Sequence, residues 1–187
     1  MNMNICIFPG TFNPIHIAHI NMANYALSKY NFDKIIFIPS YIPPHKILDK
    51  NLAKHRLNMV KLAVKNNSKF EVSDIEYKTE AKSYTLNTVI QIIKDYKING
   101  KLNMIIGTDA FKDIKSWYKT QELSKLVHFL VFPRNNDTID SDEYSDYSFE
   151  IANFEKIDIS STDLRKNKEN NELQNVKEYI KQNELYS

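Results

Sequence analysis

Close to its start the chain runs from a short apolar segment through a glycine into a segment with helical spacing. Residues 5–8, Ile-Cys-Ile-Phe, have the length and the β-branched content of a buried strand. Gly10 allows a tight backbone turn after it, and residues 16–29 repeat apolar side chains at helical intervals. A strand that leads through a tight turn into a helix is typical of α/β proteins, in which helices cover a parallel sheet.

The same alternation continues along the chain. Strands are predicted at residues 5–8, 34–38, 70–73, 102–106, 127–132 and about 154–159, and helices at 16–29, 52–64 and 85–96. We therefore predict an α/β fold, a Rossmann-like parallel sheet with helices on both faces, as a single domain over residues 1–187. In such sheets ligands bind outside the carboxyl ends of the strands, where the strand order reverses.

Two further segments have distinct compositions. Residues 135–150 carry six acidic side chains and no Lys or Arg, which predicts a solvated loop. Residues 173–185 have apolar side chains at helical spacing and are predicted to form a C-terminal helical segment that covers the core.

Two histidines lie at the start of the first predicted helix. His16 and His19 are three residues apart and therefore share one helix face. Free backbone N–H groups at a helix start favour an anion, and imidazoles beside it can stabilise charge that develops on phosphate oxygens and on a leaving pyrophosphate. The pair suggests transfer of a nucleotidyl group. A zinc site is the alternative, but it needs further ligands, and the nearby soft donor, Cys6, lies in the predicted strand.

A second segment with phosphate-binding chemistry lies near the C-terminal end. The hydroxyls of Ser161 and Thr162 can cap a helix start and bind phosphate oxygens, and Arg165 follows with a planar guanidinium suited to phosphate. Taken alone, this segment is more typical of an ordinary helix cap with a solvated arginine. Together the two segments favour a nucleotide phosphate site.

Composition restricts the partners and the compartment. A net charge of +2 and a pI near 8.4 are too mild to indicate nucleic acid, and the single cysteine cannot form an internal disulfide. The chain has no apolar run long enough to span a membrane and no signal peptide. We expect a cytoplasmic enzyme without a nucleic-acid or membrane partner, and a homo-oligomer stays open.

Several motifs carry a resemblance to a known family. Residues 10–19, Gly-Thr-Phe-Asn-Pro-Ile-His-Ile-Ala-His, and residues 159–165, Ile-Ser-Ser-Thr-Asp-Leu-Arg, resemble the nucleotidyltransferase superfamily. Within it the chain is most similar to the bacterial nicotinate mononucleotide adenylyltransferases over nearly its whole length. The motifs that narrow the resemblance are Pro43-Pro44-His45-Lys46, Ser83-Tyr84-Thr85, Ile106-Gly107-Thr108-Asp109, Trp117 and Phe132-Pro133-Arg134.

The resemblance implies roles for individual residues. It implies catalytic roles for His16, His19 and Arg165. The ATP-binding residues that it implies are Gly10, Thr11, Phe12, Asn13, Ala18, Gly107, Pro133, Arg134, Ser161 and Thr162. The substrates would be ATP, accompanied by Mg²⁺ without a dedicated metal site in the protein, and nicotinate mononucleotide. The acceptor-binding residues would be Lys46, Tyr84, Thr85, Asp109, Trp117 and Tyr118, with the Trp117 ring stacked on the pyridine.

Two positions depart from the family pattern. Asn13 stands where the family more often has Asp, and Ala18 stands where it most often has Gly. Asparagine keeps hydrogen-bonding capacity without charge, and alanine adds one methyl group near the nucleotide. We expect these changes to affect fine geometry and metal contact more than the reaction class.

Three other functions stay open. A phosphopantetheine or nicotinamide-nucleotide adenylyltransferase would perform the same chemistry on another acceptor, although the former usually has Thr at the position of His16. A class I aminoacyl-tRNA synthetase fragment would share a His-x-x-His element, but the chain has no Lys-Met-Ser-Lys-Ser motif. A nucleotide sensor without catalytic activity would bind ATP and release no pyrophosphate.

Overall fold

Six parallel strands form one sheet in the computed structural model, which describes residues 3–44, 49–78, 82–134, 137–154, 161–166 and 173–186. The strands are β1 (Ile5–Gly10), β2 (Lys34–Pro39), β3 (Phe70–Val72), β4 (Leu102–Gly107), β5 (Val127–Phe132) and β6 (Ser148–Ile151). Their order is β3-β2-β1-β4-β5-β6, and every neighbouring pair is parallel. The order reverses between β1 and β4, so the fold predicts a ligand site at the carboxyl ends of these two strands.

Helices connect the strands. They are α1 (Ile17–Lys29), α2 (Leu52–Val64), α3 (Thr85–Tyr96), α4 (Thr108–Lys112), α5 (Thr120–Leu126), α6 (Ser161–Lys166) and α7 (Gln174–Gln182), with short 3-10 helices at Ile75–Tyr77 and Ile114–Ser116. The predicted Rossmann-like class is thereby confirmed. In the described ranges no helix is long and apolar enough to cross a membrane.

The core consists of two apolar layers, one on each face of the sheet. Alternate side chains of β1 enter different layers, because successive residues of a strand point to opposite faces. Cys6 and Phe8 pack with α1, α2 and α7, whereas Ile5 and Ile7 pack with α3, α4 and α5. The predicted cover by the C-terminal segment is confirmed, since Val176 is fully buried against the first layer.

Residues 155–159 of the strand predicted at about 154–159 lie outside the described part of the chain, and the described strand at this edge of the sheet is Ser148–Ile151. The solvated loop predicted for residues 135–150 is wrong in its second half, although residues 135 and 136 are not described. The rings of Tyr144 and Tyr147 are buried against Phe111, which draws this acidic segment onto α4.

Candidate active site

The turn after β1 forms the floor of the cleft. A Cβ atom at Gly10 would lie 2.8 Å from the Phe12 ring, so this close approach requires glycine. Phe12 has a φ of 47°, which is uncommon for a bulky side chain, and its buried ring packs edge-on against Phe8 and His19. The Phe12 side chain therefore belongs to the core. A nucleotide above this turn would meet its backbone.

His16 and His19 lie together at the start of α1. The helix begins at Ile17, so His16 caps it and does not belong to its first turn as predicted. The two ring centroids are 3.8 Å apart. The His16 backbone N–H donates to Nδ1 of His19 at 3.2 Å, which leaves the proton of a neutral His19 ring on Nε2.

Burial keeps both rings uncharged. Burial lowers the pKa of His16 to about 3, and the positive charge of Arg134 lowers it further. The pKa of His19 is also well below its ordinary value, through burial first and then through His16 and Arg134. Both rings are therefore neutral near pH 7.

Both ring nitrogens of His16 are buried without a hydrogen-bond partner among the described residues. An unpartnered buried polar atom destabilises a fold by about 1–3 kcal/mol, so it is seldom found without a reason. At the carboxyl end of β1 these nitrogens are available to a ligand.

The motif near the C-terminal end, which includes Ser161, Thr162 and Arg165 (the late motif), contacts the turn after β1 directly. Nη1 of Arg165 donates to the carbonyl oxygens of Asn13 and Ser161 at 2.8 and 3.1 Å. Its Nη2 donates to Oγ1 of Thr162 at 3.1 Å, and the Ser161 hydroxyl donates to the Pro14 carbonyl at 2.9 Å. Two segments that are about 150 positions apart in the sequence therefore form one site.

The neighbouring strand end places a positive charge opposite the histidines. Thr108 Oγ1 accepts from the Arg134 backbone N–H at 2.9 Å, and Arg134 pairs with Asp109 at 3.3 Å. A Cβ at Gly107 would lie 2.6 Å from Cδ of Arg134 and 2.5 Å from the Asp109 carboxylate. Glycine at the end of β4 thus allows the Arg134 side chain to cross it. Pro133, half-buried, leads into this arginine from β5.

The aromatic side chains of the predicted acceptor site lie around the start of α3 and the segment before α5. The rings of Tyr84 and Tyr118 lie 4.5 Å apart between centroids. Tyr84 precedes α3, which begins at Thr85, and Trp117 is half-buried against the second core layer. Tyr118 is 46% exposed. Lys46 and His45 lie outside the described residues.

A buried polar cluster lies beside the Ser83-Tyr84-Thr85 motif, and its members Glu76 and Thr88 were not predicted from the sequence. The Ser83 hydroxyl accepts from the backbone N–H groups of Tyr41 and Ile42 at 2.9 and 3.2 Å, and Thr88 donates to the buried Glu76 carboxylate at 2.8 Å. Burial raises the pKa of Glu76, while hydrogen bonds from Ser83 and Thr88 partly oppose that shift. Glu76 and Thr88 lack a recognisable spacing, so the sequence offered no signal for these two residues.

The positions of three more residues bear on ligand binding. Ala18 is buried on α1, Thr11 is half-buried in the turn, and Asn13 is buried with its Oδ1 accepting from the Tyr186 hydroxyl at 2.6 Å.

Among the described residues no group of three or more His, Cys, Asp or Glu side chains could hold a metal ion.

The chain is similar to known proteins over most of its length. The model of the cytidylyltransferase-like family matches residues 7–167. A probable nicotinate-nucleotide adenylyltransferase of Fusobacterium nucleatum is 40% identical over 173 residues, which cover 91% of this chain and 90% of that protein. The nicotinate-nucleotide adenylyltransferase of Bacillus subtilis is 35% identical, with 97% of each chain covered.

A solved structure supports the fold. The nicotinic acid mononucleotide adenylyltransferase of Plasmodium falciparum, in complex with NaAD, superposes with a TM-score of 0.77 at 24% identity, over 98% of this chain and 97% of that chain. The arrangement of the sheet and of the long helices is therefore the same. The chain belongs to the cytidylyltransferase-like family and, within it, to the nicotinate-nucleotide adenylyltransferases.

Proposed function

We propose that the chain transfers the adenylyl group of ATP to nicotinate mononucleotide in NAD biosynthesis. A phosphate oxygen of the mononucleotide attacks the α-phosphorus of ATP, and the bond from that phosphorus to the pyrophosphate oxygen breaks. The products are nicotinate adenine dinucleotide and pyrophosphate. The observation that carries this proposal is the buried, neutral pair of His16 and His19 at the point where the strand order reverses. The activity named for the relatives agrees with it.

The His pair would act on charge that appears during the reaction. Negative charge grows on the phosphate oxygens and on pyrophosphate as the bond breaks, and a fixed N–H donor in a dry site stabilises it without reorganisation. His19 presents Nε2–H because its Nδ1 already accepts a hydrogen bond. Arg134 and Arg165 add positive charge from two other segments. No nucleophilic side chain and no covalent intermediate are needed.

The residues that we propose for ATP binding lie at the carboxyl ends of β1 and β4 and in the segments that contact them. The phosphates would lie on the backbone of the turn after β1 and beside α6, and the nucleoside would reach the end of β4. This set comprises Gly10, Thr11, the backbone of Phe12, Asn13, Ala18, Gly107, Pro133, Arg134, Ser161 and Thr162. Support comes from the docking of α6 on the β1 turn, which brings both motifs to one place.

Mg²⁺ would accompany ATP. The described side chains offer no carboxylate cage, and Oδ1 of Asn13 already accepts from Tyr186. This donor set fits an ion held mainly by phosphate oxygens and water, with few protein contacts. When bound, Mg²⁺ neutralises charge on the phosphate oxygens.

The aromatic end would hold the acceptor. We propose that Trp117 stacks on the pyridine ring and that Tyr84 and Thr85 receive the carboxylate, with Asp109, Tyr118 and Lys46 completing the site. The half-buried Trp117 and the closely packed, tilted rings of Tyr84 and Tyr118 offer flat apolar surfaces for an aromatic ligand. We also propose that the reaction takes place in the cytoplasm, since ATP is its substrate.

A pyrophosphate-release assay with ATP, Mg²⁺ and one acceptor at a time tests the function. We expect pyrophosphate and an equal amount of nicotinate adenine dinucleotide from the nicotinate mononucleotide. The amide mononucleotide should react much more slowly, because a site built for a carboxylate leaves its donors mispaired with an amide. Equal rates would refute the carboxylate assignment and leave adenylyl transfer standing. ATP binding without pyrophosphate release from any acceptor, phosphopantetheine included, would instead identify a nucleotide sensor.

A further inference from the structure

The C-terminal end of the chain returns to the nucleotide site. The Tyr186 hydroxyl donates to Oδ1 of Asn13 at 2.6 Å, across 173 positions of sequence. Asn13 is 5% exposed, so this contact satisfies a buried acceptor in the turn after β1. Asn13 lies between β1 and α1, and Tyr186 follows α7, so no local sequence pattern predicts their contact.

Several contacts fix the segment that delivers Tyr186. Helix α7 packs on α2, and Tyr179 of α7 hydrogen-bonds His55 and Asn58 of α2 at 3.0 Å each. Asn175 donates to the Leu62 carbonyl at 2.6 Å. The apolar side chains that anchor this segment in the core are Val176, Ile180 and Leu185. The position of Tyr186 is therefore fixed by the packing of the segment that precedes it.

Asn13 also contacts the late motif through its backbone carbonyl. Its carbonyl accepts from Nη1 of Arg165 at 2.8 Å, and the next carbonyl, that of Pro14, accepts from Ser161. The Asn13 side chain is held by Tyr186 and its main chain by Arg165. A shift of Asn13 would therefore move the oxygen that orients the Arg165 guanidinium.

The phenol lies within the electrostatic influence of two arginines. Arg56 on α2 and Arg165 on α6 both act to lower the pKa of Tyr186, but burial outweighs them and raises it. The hydroxyl therefore keeps its proton at neutral pH and can donate to Asn13. Because Asn13 is an uncharged amide, the pair adds no negative charge beside the phosphates.

We propose that Tyr186 is a positioning residue for adenylyl transfer. Its hydroxyl fixes the Asn13 side chain, and Asn13 in turn sets the carbonyl that orients Arg165 toward the triphosphate. The inference rests on the proposed function, which supplies ATP as the ligand of this end of the cleft. It predicts that the chain end affects ATP use and leaves binding of the mononucleotide ring unchanged.

The test measures kcat and both KM values in Tyr186→Phe, with Tyr30→Phe as the matched control. Each variant removes one phenolic hydroxyl that donates to a side-chain oxygen, and the Tyr30 hydroxyl donates to Glu150 at 2.5 Å, at the opposite end of α1 from His16 and outside the C-terminal segment. We expect kcat/KM for ATP to fall on the order of tenfold in Tyr186→Phe, since a buried acceptor loses its partner. The KM for the mononucleotide should change by less than about twofold, and Tyr30→Phe should match the wild type. Wild-type rates in Tyr186→Phe, or an equal loss in Tyr30→Phe, would overturn the proposal.

A double-mutant cycle shows whether the effect passes through Asn13. In an Asn13→Ala background, which has no acceptor, Tyr186→Phe should have no further effect. In an Asn13→Asp background, which keeps an acceptor oxygen, the loss should persist, and this arm serves if Asn13→Ala does not fold. Equal losses in the wild-type and Asn13→Ala backgrounds, or no loss in Asn13→Asp, would contradict the inference. If the wild type makes no dinucleotide, the proposed function fails, and calorimetric ATP affinity in the same variants decides the role of Tyr186.

Discussion

The proposed site has a nucleotide end around His16 and His19 and an acceptor end around Tyr84, Trp117 and Tyr118, and these two ends are built differently. At the nucleotide end, His16 and His19 are buried, and hydrogen bonds to backbone carbonyls anchor Arg165. At the acceptor end, rings pack on rings, and Tyr118 is nearly half exposed. A donor that must meet charge in the transition state has to be fixed before the reaction, whereas a flat ring can bind through a surface that adjusts.

Because the two ends differ in this way, we expect substitutions in them to change different kinetic constants. The nucleotide end should act on turnover and on ATP, because its groups are preorganised for charge. The acceptor end should act on binding of the mononucleotide. A substitution at one end that changed turnover and mononucleotide binding to the same extent would show that the two ends do not act separately.

The largest effect is expected at the His pair. His16→Ala and His19→Ala should each lower kcat by about 10²–10³, which is on the order of 3–4 kcal/mol, because each ring stabilises charge that develops in the transition state. Steady-state kinetics with circular dichroism as a fold check measures this. His128→Ala is the control, because His128 lies near the start of β5, away from the carboxyl ends of the strands. Near-normal turnover in either variant of the pair would contradict the assignment.

Arg165→Ala should have the next largest effect, on ATP alone. Loss of a charge-assisted hydrogen bond weakens binding by roughly 1.5–3 kcal/mol, which corresponds to about 10- to 100-fold in ATP affinity. Arg165→Lys keeps the charge without the planar fork, so it should restore only part of the affinity. Calorimetry with ATP provides the measurement. Unchanged affinity and unchanged ATP dependence would make Arg165 a surface residue.

The buried histidines should also make stability depend on pH. The pKa of His16 is lowered to about 3 in the folded chain, while the unfolded chain keeps the ordinary value of 6.5. As the pH falls below 6.5, the unfolded state takes up a proton that the folded state does not, so the free energy of unfolding falls, by about 1 kcal/mol per pH unit for such a group. Urea unfolding of His16→Gln between about pH 7 and 5 should show a smaller loss than the wild type. Identical slopes would mean that His16 is not held neutral by the fold.

The smallest effect is expected at the acceptor end. Trp117→Ala should raise the KM for nicotinate mononucleotide about 3- to 10-fold with little change in the KM for ATP, because stacking contributes roughly 0.5–1.5 kcal/mol. Trp117→Phe keeps a ring and should lose less. Since the chain has a single tryptophan, its fluorescence also reports acceptor binding directly. An equal rise in both KM values would remove the distinction between the two ends.

The sequence predicted the elements whose patterns are long and periodic. The helices at Leu52–Val64 and Thr85–Tyr96 and the strand at Val127–Phe132 lie at the predicted bounds, because their apolar side chains repeat over several turns or fill a buried strand. The short helices around Trp117 were missed, since helices of seven residues or fewer depend on tertiary packing and carry little pattern.

Site chemistry was predictable where it is local. The spacing of His16 and His19 indicated a pair, and the structure brings their rings together. The burial of His19 was not predictable, because its ring packs on Phe12, whose ring turns inward from an uncommon backbone conformation. The contact of Tyr186 with Asn13 was equally beyond the sequence, because it depends on how α7 packs on α2.

We expect the buried His pair to act on the transition state and to leave substrate binding to other groups, and His16→Ala separates these two effects. In His16→Ala, the rate of a single turnover with saturating enzyme should fall by on the order of 10². The dissociation constants for ATP, by calorimetry, and for the mononucleotide, by Trp117 fluorescence, should stay within about threefold of the wild type. A loss of affinity as large as the loss of rate would show that His16 binds the ground state, and would contradict the account.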